Sequence, residues 1–338
     1  MNNILKHDIQ EFCSSFLLAD YLQNTCFLIT GATGLIGSTF VHCLLALDKG
    51  ISIIAPVRNA QKMHYLFDSK ELESIDFFES DLIDEDYSHI KTVDFIIHCA
   101  APTSSRFFVE KPVETFDFII KSTSNLLDYA KKKDIKSFVF LSSLEVYGTI
   151  DKMDTVTEDV QGYWSITDIR SSYPIAKRAA ENLCYLYSQE YLVPVKIARL
   201  TQTTGAAVAK DDNRVIVQFA RLAAKGEDII LHTTGESARP YCYTTDAISA
   251  LLYILLKGKR GEAYNVANPQ TYISAKGLAE YLRDNYNKNI NIKYELNNNE
   301  GYAPISLLPL SVEKLKTLGW VPKYGLRDMF DKLMKCLC

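Results

Sequence analysis

The stretch FLITGATGLIG, residues 27–37, leads from a short apolar run into three glycines spaced three residues apart and then into an apolar helical pattern. Gly31 permits a tight turn after the strand, Gly34 lets backbone N–H groups approach a pyrophosphate, and Gly37 allows the helix to pack closely on the strand. Glycine spacing alone is weak evidence, but here strand, turn and helix follow in the required order. The predicted dinucleotide-binding residues of this turn are Gly31, Thr33, Gly34, Leu35, Ile36 and Gly37.

Short β-rich runs alternate with helical stretches after this turn, which is typical of a parallel sheet covered on both faces. The predicted strands are 26–30, 51–57, 75–79, 95–99, 137–142 and 195–198, and the predicted helices between them are 35–49, 60–72, 113–133 and 172–189. We therefore expect an α/β fold, a Rossmann-type doubly wound parallel sheet of at least six strands.

The chain divides into three predicted parts. Residues 1–25 form a helical extension, residues 26–204 the dinucleotide-binding core, and residues 205–338 mainly a smaller C-terminal α/β lobe that binds substrate. The predicted features of this lobe are a helix at 215–225, a strand at 229–231, a turn-rich run at 233–240, helices at 245–257 and 274–285, a loop at 297–299 and a final run at 302–322.

Composition excludes several classes of protein. The net charge is −4 without a basic stripe, so a nucleic-acid binder is not expected. No apolar run approaches the roughly 18 residues of a membrane span, and the first 25 residues do not resemble a signal peptide. The 8 cysteines have no metal-ligand spacing, so we expect reduced thiols, no metal site and a cytoplasmic protein.

The second predicted strand ends in Arg58 and Asn59, where dinucleotide folds usually place an acid for the ribose 2′-hydroxyl. A guanidinium suits a 2′-phosphate, which favours NADP, although Arg58 stacked on adenine or in solvent is an equal alternative. The cofactor is therefore NAD or NADP. Asp81 and Leu82, after the third strand, are predicted to meet the adenine.

The fourth predicted strand ends in small residues where a backbone must pass close to the cofactor, and we assign Cys99, Ala100 and Ala101 to the cofactor site. Thr103, just beyond them, is assigned to the substrate site. His98 is interpreted as a buried, hydrogen-bonded histidine rather than a catalytic one.

The segment YPIAK places Tyr173 and Lys177 four residues apart, on one face of a helix. Lys177 is expected to lower the pKa of Tyr173 and to hold the nicotinamide ribose, which makes the phenolate a base near neutral pH. Ser142 and Ser143, at the end of the fifth strand, offer a hydroxyl to the reacting oxygen.

Together the GATGLIG, HCAA, SSLEVYG, YPIAK and LGW segments resemble the extended short-chain dehydrogenases, which include nucleotide-sugar epimerases, dehydratases and decarboxylases. The resemblance implies that the catalytic hydroxyl is Ser143, five residues before Gly148. It implies a nucleotide-diphosphate sugar as substrate, oxidised transiently to a 4-keto intermediate. It also implies a homodimer formed through helices 113–133 and 172–189.

The dehydratases of this family place an Asp-Glu pair where this chain has Leu144 and Glu145, so one half of that acid/base pair is missing. A single glutamate resembles the UDP-glucuronate decarboxylases and predicts that the Glu145 carboxylate faces the sugar near C5 or C6. A loop cap is the alternative role of Glu145.

Three further residues are assigned to substrate by resemblance. Residues 211–215 resemble a substrate-phosphate loop and supply Arg214, and residues 239–246 resemble an arginine-aromatic-aspartate segment and supply Arg239. Gln202 stands where the family commonly has asparagine. Arg214 as a solvated charge and Arg239 as a structural ion-pair partner are the alternatives.

Three functions remain open at this point. The first is a redox-neutral epimerase or decarboxylase of nucleotide sugars. The second is an NADPH-dependent reductase of 4-keto nucleotide sugars, and the third is a non-catalytic dinucleotide sensor, against which the Ser143, Tyr173 and Lys177 set argues.

Overall fold

The structure, a computed structural model, describes residues 1–151, 153–209, 211–296 and 305–337. The predicted loop at 297–299, the start of the run at 302–322, Lys210 and Cys338 lie outside the described residues. The strands are β1 (Cys26–Thr30), β2 (Ser52–Val57), β3 (Ile75–Glu79), β4 (Phe95–His98), β5 (Ser137–Ser143), β6 (Val195–Leu200), β7 (Gln202–Thr204), β8 (Ile229–Leu231), β9 (Ala238–Tyr243), β10 (Ala263–Val266), β11 (Asn268–Ser274) and β12 (Ile292–Tyr294). The α-helices are α1 (Asn3–Ser15), α2 (Leu35–Ala46), α3 (Gln61–Leu66), α4 (Ser69–Leu72), α5 (Ser105–Glu110), α6 (Pro112–Lys131), α7 (Ser172–Glu190), α8 (Val215–Lys225), α9 (Thr244–Lys257), α10 (Ala275–Asn285), α11 (Glu313–Lys316) and α12 (Leu326–Leu337).

Seven parallel strands form the central sheet in the order β3-β2-β1-β4-β5-β6-β10. From β1 the chain first adds β2 and β3 on one side of the sheet and then crosses to add β4, β5 and β6 on the other side. This switch between β1 and β4 opens a crevice at the carboxyl ends of these two strands. The α/β Rossmann-type prediction is confirmed, with β10 as a seventh strand.

Side chains alternate between two apolar cores on the faces of this sheet. Phe27 and Ile29 of β1 lie in one core, with residues of α2 and α9, while Leu28 lies in the other, with residues of α6 and α7. Strands buried on both faces are apolar throughout rather than alternating, which explains the continuous run before Gly31. The helix α1 packs on α2 and α9.

The smaller lobe contains the sheet β11-β9-β7, the pair β12-β8 and the helices α8, α10 and α12 around a third core. The division into domains stays a prediction. The structure adds that α9 and β10, which follow residue 205 in the chain, belong to the layers of the central sheet.

Some predicted element boundaries were wrong. The predicted helix 60–72 is two helices, because Asp68 and Glu71 form a capping box that starts α4. The predicted helix 35–49 ends at Ala46, and Asp48 has a φ of 52°. The predicted turn-rich run 233–240 already contains the first residues of β9.

Candidate active site

The glycine turn between β1 and α2 has the close backbone packing that its spacing predicted. Gly31 has a φ of +72°, and a Cβ there would lie 2.9 Å from the Ala100 nitrogen. A Cβ at Gly37 would overlap the Gly31 carbonyl oxygen. At Gly34 the nearest atom to an added Cβ is 3.4 Å away, so this side of the turn is open at the N-terminus of α2. An anionic pyrophosphate fits this place.

The residues after β2 and β3 lie at the surface beside this turn. Arg58 is exposed and has no hydrogen-bond or ion-pair partner among the described residues. The Asn59 side chain accepts a hydrogen bond from the Gln61 nitrogen (2.9 Å). The exposed Asp81 carboxylate accepts from the Ile83 nitrogen (3.1 Å), whereas the Leu82 side chain is buried in the core.

His98 is a buried histidine with both ring nitrogens engaged. Nδ1 lies 2.7 Å from the Thr30 hydroxyl and Nε2 lies 3.2 Å from the Thr123 hydroxyl. Burial, together with the nearby Lys177 ammonium, lowers the pKa of His98 to about 3. The interpretation of His98 as a satisfied core residue is therefore confirmed.

The backbone after β4 passes close to the glycine turn. The Cys99 and Ala100 nitrogens donate hydrogen bonds to Thr30, at 3.2 Å to its carbonyl oxygen and 3.3 Å to its hydroxyl. Burial raises the pKa of the Cys99 thiol to about 12, which disfavours its reactive thiolate form. Ala101 is half-buried beside them, and Thr103 is exposed.

Ser143, Tyr173 and Lys177 come together at the carboxyl ends of the central strands. Ser143 is the last residue of β5, and Tyr173 and Lys177 are on the first turns of α7. The Lys177 Nζ donates to the Leu141 carbonyl oxygen (2.7 Å) and lies 6.0 Å from the centre of the Tyr173 ring.

The pKa of Tyr173 is shifted in the direction opposite to the expectation. Burial raises the pKa of Tyr173 well above its ordinary value, Glu145 adds to the rise, and Ser143 and Arg170 oppose it. Burial lowers the pKa of Lys177 to about 8. The expected lowering of the Tyr173 pKa by Lys177 is not seen, and the Lys177 ammonium donates to a β5 carbonyl. Its position suits a ribose-holding role.

The Glu145 carboxylate is paired with an arginine that the sequence reading did not single out. The Arg170 Nη2 lies 3.0 Å from Oε1 and 2.8 Å from Oε2 of Glu145. The Arg170 side chain is 6% exposed and the Glu145 side chain 23% exposed. The Glu145 side chain is therefore partly exposed, and its contact with sugar stays a prediction.

Phe108 lies between Arg170 and Tyr173. The guanidinium carbon of Arg170 is 5.0 Å from the centre of the Phe108 ring, and the Phe108 and Tyr173 rings stack at 4.3 Å with an angle of 9°. The only sequence signal for Arg170 is its spacing of three residues from Tyr173, which brings two helical residues to one face. Phe108 gave no signal.

The two arginines assigned to substrate differ in their surroundings. Arg214 donates from Nε and Nη2 to the Asp212 carboxylate and from Nη1 to the Thr203 carbonyl oxygen (2.5 Å). Arg239, on β9, is half-buried, and its guanidinium has no hydrogen-bond or ion-pair partner in the described part of the chain. Arg239 is thus the more available cation for an anionic ligand.

Gln202, at the start of β7, has an orphaned amide oxygen. Its Oε1 is buried and lacks a hydrogen-bond partner among the described residues, as does the Thr204 hydroxyl on the same strand. Buried polar atoms without partners are rare and call for an explanation such as a ligand or ordered water.

Residues 27–267 match the family model described as the NAD dependent epimerase/dehydratase family. The chain belongs to this family. UDP-glucuronic acid decarboxylase 5 from Arabidopsis thaliana is 30% identical over 94% of this chain and 88% of that protein. UDP-glucuronic acid 4-epimerase from Bacillus cereus, solved in complex with UDP-glucuronic acid and NAD, has a TM-score of 0.80 at 22% identity and covers 92% of this chain and 98% of that one. UDP-glucose 4-epimerase from Thermotoga maritima has a TM-score of 0.78 at 23% identity, with the same coverage.

This member of the epimerase/dehydratase family is therefore an NAD-dependent enzyme, and the glycine turn and Lys177 fit that cofactor. The preference for NADP stays a prediction, since Arg58 is exposed and its guanidinium is available to NAD and NADP alike. The seven cysteines in the described ranges are free thiols. None of the helices described is both long enough and apolar enough to cross a membrane.

Proposed function

We propose that this enzyme acts on a nucleotide-diphosphate sugar through a 4-keto intermediate, and that the sugar is a uronic acid which it decarboxylates. The observation that carries the proposal is the single carboxylate of Glu145, held two residues beyond Ser143 and close enough to influence the pKa of Tyr173. The relatives named UDP-glucuronic acid decarboxylases support the same substrate class.

The first step is oxidation at C4 of the sugar. Ser143 holds the C4 oxygen, and Tyr173, as its phenolate, takes the hydroxyl proton. NAD, held at the glycine turn and by Lys177, would supply the hydride acceptor for C4 and the donor for its return. Lys177 orients the ribose and adds positive charge beside the phenolate.

The second step follows from the position of the new ketone. A C4 ketone is β to the C6 carboxylate, so the C5–C6 bond breaks with loss of carbon dioxide and its electron pair enters an enolate. C5 then takes up a proton that comes from solvent and is directed by Glu145, the hydride returns to C4, and Tyr173 returns its proton to the C4 oxygen. The cycle is redox-neutral.

The remaining predicted contacts belong to the same proposal. Arg239 binds the diphosphate or the sugar acid, with Gln202, Thr103 and Arg214 as further substrate contacts. The substrate is a small anion and not a nucleic acid, and the enzyme works as a cytoplasmic homodimer.

The test is incubation of the purified enzyme with UDP-, CDP-, GDP- and dTDP-sugars, with products followed by mass and NMR. We expect a nucleotide uronic acid to lose 44 mass units, roughly the mass of the carbon dioxide released in a cofactor-recycling reaction. A product of unchanged mass with inverted configuration at C4 would show that the enzyme is an epimerase and not a decarboxylase.

Reduction of a 4-keto sugar is the second candidate, because Arg58 is exposed and free to meet a 2′-phosphate. Stoichiometric consumption of NADPH with a 4-keto nucleotide sugar would favour it.

A further inference from the structure

Arg170 is buried just before α7, and most of its hydrogen-bonding capacity is unused. Its Nη2 binds Glu145, whereas Nε and Nη1 are buried and have no partner among the described residues. The short 3₁₀ turn Ile169–Ser171 that carries it is fixed by Asp168, whose carboxylate accepts from the Arg170 nitrogen (2.9 Å).

The pairing is unfavourable as a purely structural device. A buried ion pair rarely stabilises a fold more than apolar residues of similar volume, and unpaired N–H groups add a further cost. Conflicts of this kind between stability and chemistry are expected at functional sites. The cost falls on Arg170 and on Glu145, its one ion-pair partner in the described structure.

The guanidinium also shares a stack with the catalytic phenol. Its face lies on the Phe108 ring, whose other neighbour is the parallel ring of Tyr173. The Ser172 hydroxyl, on α7, also donates a hydrogen bond to the Phe108 carbonyl oxygen (3.1 Å), which links α7 to α5. Glu145 is therefore linked to Tyr173 by a continuous set of contacts through Arg170 and Phe108.

We propose that Arg170 is a positioning residue that holds the Glu145 carboxylate toward the sugar carbon next to C4, in register with Tyr173. The inference rests on the proposed function. Arg170 acts through Glu145, so it serves mainly the step after hydride transfer, although its positive charge also opposes the rise in the pKa of Tyr173.

The test compares Arg170→Met, Glu145→Gln and the double variant. We expect Arg170→Met to lower hydride transfer, seen as reduced-nicotinamide absorbance in a single turnover, much less than product formation, which should fall about a hundredfold. In the Glu145→Gln background the same change should cause no further loss, because coupled residues are not additive. Arg170→Lys should restore part of the rate.

The matched control is Arg327→Met, which removes an arginine whose side chain is 83% exposed on α12 and should leave both rates unchanged. Equal losses from Arg170→Met in both backgrounds, or an equal fall in hydride transfer and product, would overturn the proposal. If Arg170→Met does not fold, Arg170→Lys is carried through the same cycle and judged by the same criteria.

A crystal structure of Arg170→Met gives a reading that needs no substrate. We expect the Glu145 carboxylate to leave its wild-type position, and an unchanged carboxylate would also overturn the proposal. Failure of the wild-type enzyme to convert any nucleotide uronic acid would reject the proposed function instead, and the displacement of Glu145 would still report on the pairing.

Discussion

Burial acts in opposite directions on the two titrating groups of the catalytic trio. It raises the pKa of Tyr173 and lowers that of Lys177 to about 8, since a low-dielectric site disfavours the charged form of each. An additional positive charge beside the phenol would lower its pKa, and Lys177, once turned from the Leu141 carbonyl to a ribose, would supply part of it.

Replacing Tyr173 by phenylalanine removes the proposed base and leaves the stacked ring in place. We expect Tyr173→Phe to keep its thermal unfolding temperature and its NAD affinity but to lose at least about a hundredfold in turnover. Steady-state kinetics and calorimetry measure this, with the half-exposed Tyr185→Phe on the same helix as the control. Unchanged turnover would remove Tyr173 from the mechanism.

Substitution of Arg58 tests whether the enzyme binds NADP in preference to NAD. If it meets a 2′-phosphate, Arg58→Ala should weaken NADP binding by about tenfold or more, as expected for loss of a charge-assisted hydrogen bond. NAD binding should change little. Titration of both dinucleotides measures the ratio, and equal weakening of the two would contradict a phosphate contact.

The candidate residues differ in how far the sequence could reveal them. Ser143, Tyr173 and Lys177 stand in local motifs whose order along the chain predicts that they meet. Arg170 could not be assigned, because its partner Glu145 lies on another element and only tertiary packing brings the two within 3 Å. Arg214 differs, because its partner Asp212 is only two residues away and the pairing is local.

At the scale of elements, the turn between β1 and α2 depends on two glycines more than on the third. Gly37→Ala places a methyl group against the Gly31 carbonyl, so the helix must shift and the pyrophosphate site with it. We expect Gly37→Ala to weaken NAD binding about a hundredfold and to lower stability by about 1–3 kcal/mol. Fluorescence titration and thermal unfolding measure both.

Gly34→Ala is the matched control for stability, since its methyl group would meet no atom closer than 3.4 Å. It should leave the unfolding temperature unchanged and disturb only the approach of a ligand. Equal destabilisation by the two changes would contradict the packing account of this turn.

Most elements of the central sheet follow from local pattern, and the exceptions have physical causes. Buried parallel strands are continuous apolar runs, so β1 to β6 are visible in the sequence. The last strand, β10, is short and carries Asn265, which is buried because Tyr147 and two carbonyl oxygens bind its amide. A polar residue satisfied by distant groups has no local signature.

At the scale of the molecule, the two ends of the chain are joined by one charged cluster. Lys332 of α12 lies 2.6 Å from Asp8 and 3.0 Å from Glu11, both on α1. Tyr243, the last residue of β9, donates to the other Asp8 oxygen (2.5 Å). The cluster connects the N-terminal helix to the strand that carries Arg239.

Lys332→Met tests this connection. Asp8 is 1% exposed, so loss of Lys332 leaves a buried carboxylate without its cation, which should cost about 3–5 kcal/mol in the free energy of unfolding.

Burial opposes ionisation of Glu11, yet hydrogen bonds from Lys332, Tyr324 and Lys323 lower its pKa from 4.5 to about 2. A lowered carboxyl pKa stabilises the fold above pH 4.5, and this contribution disappears as the pH falls toward 2. Denaturant unfolding at several pH values should therefore show a shallower acid dependence in Lys332→Met than in wild type. The control Lys335→Met removes an exposed charge from the same helix and should change neither quantity, and equal effects of the two would show that net charge rather than the cluster is responsible.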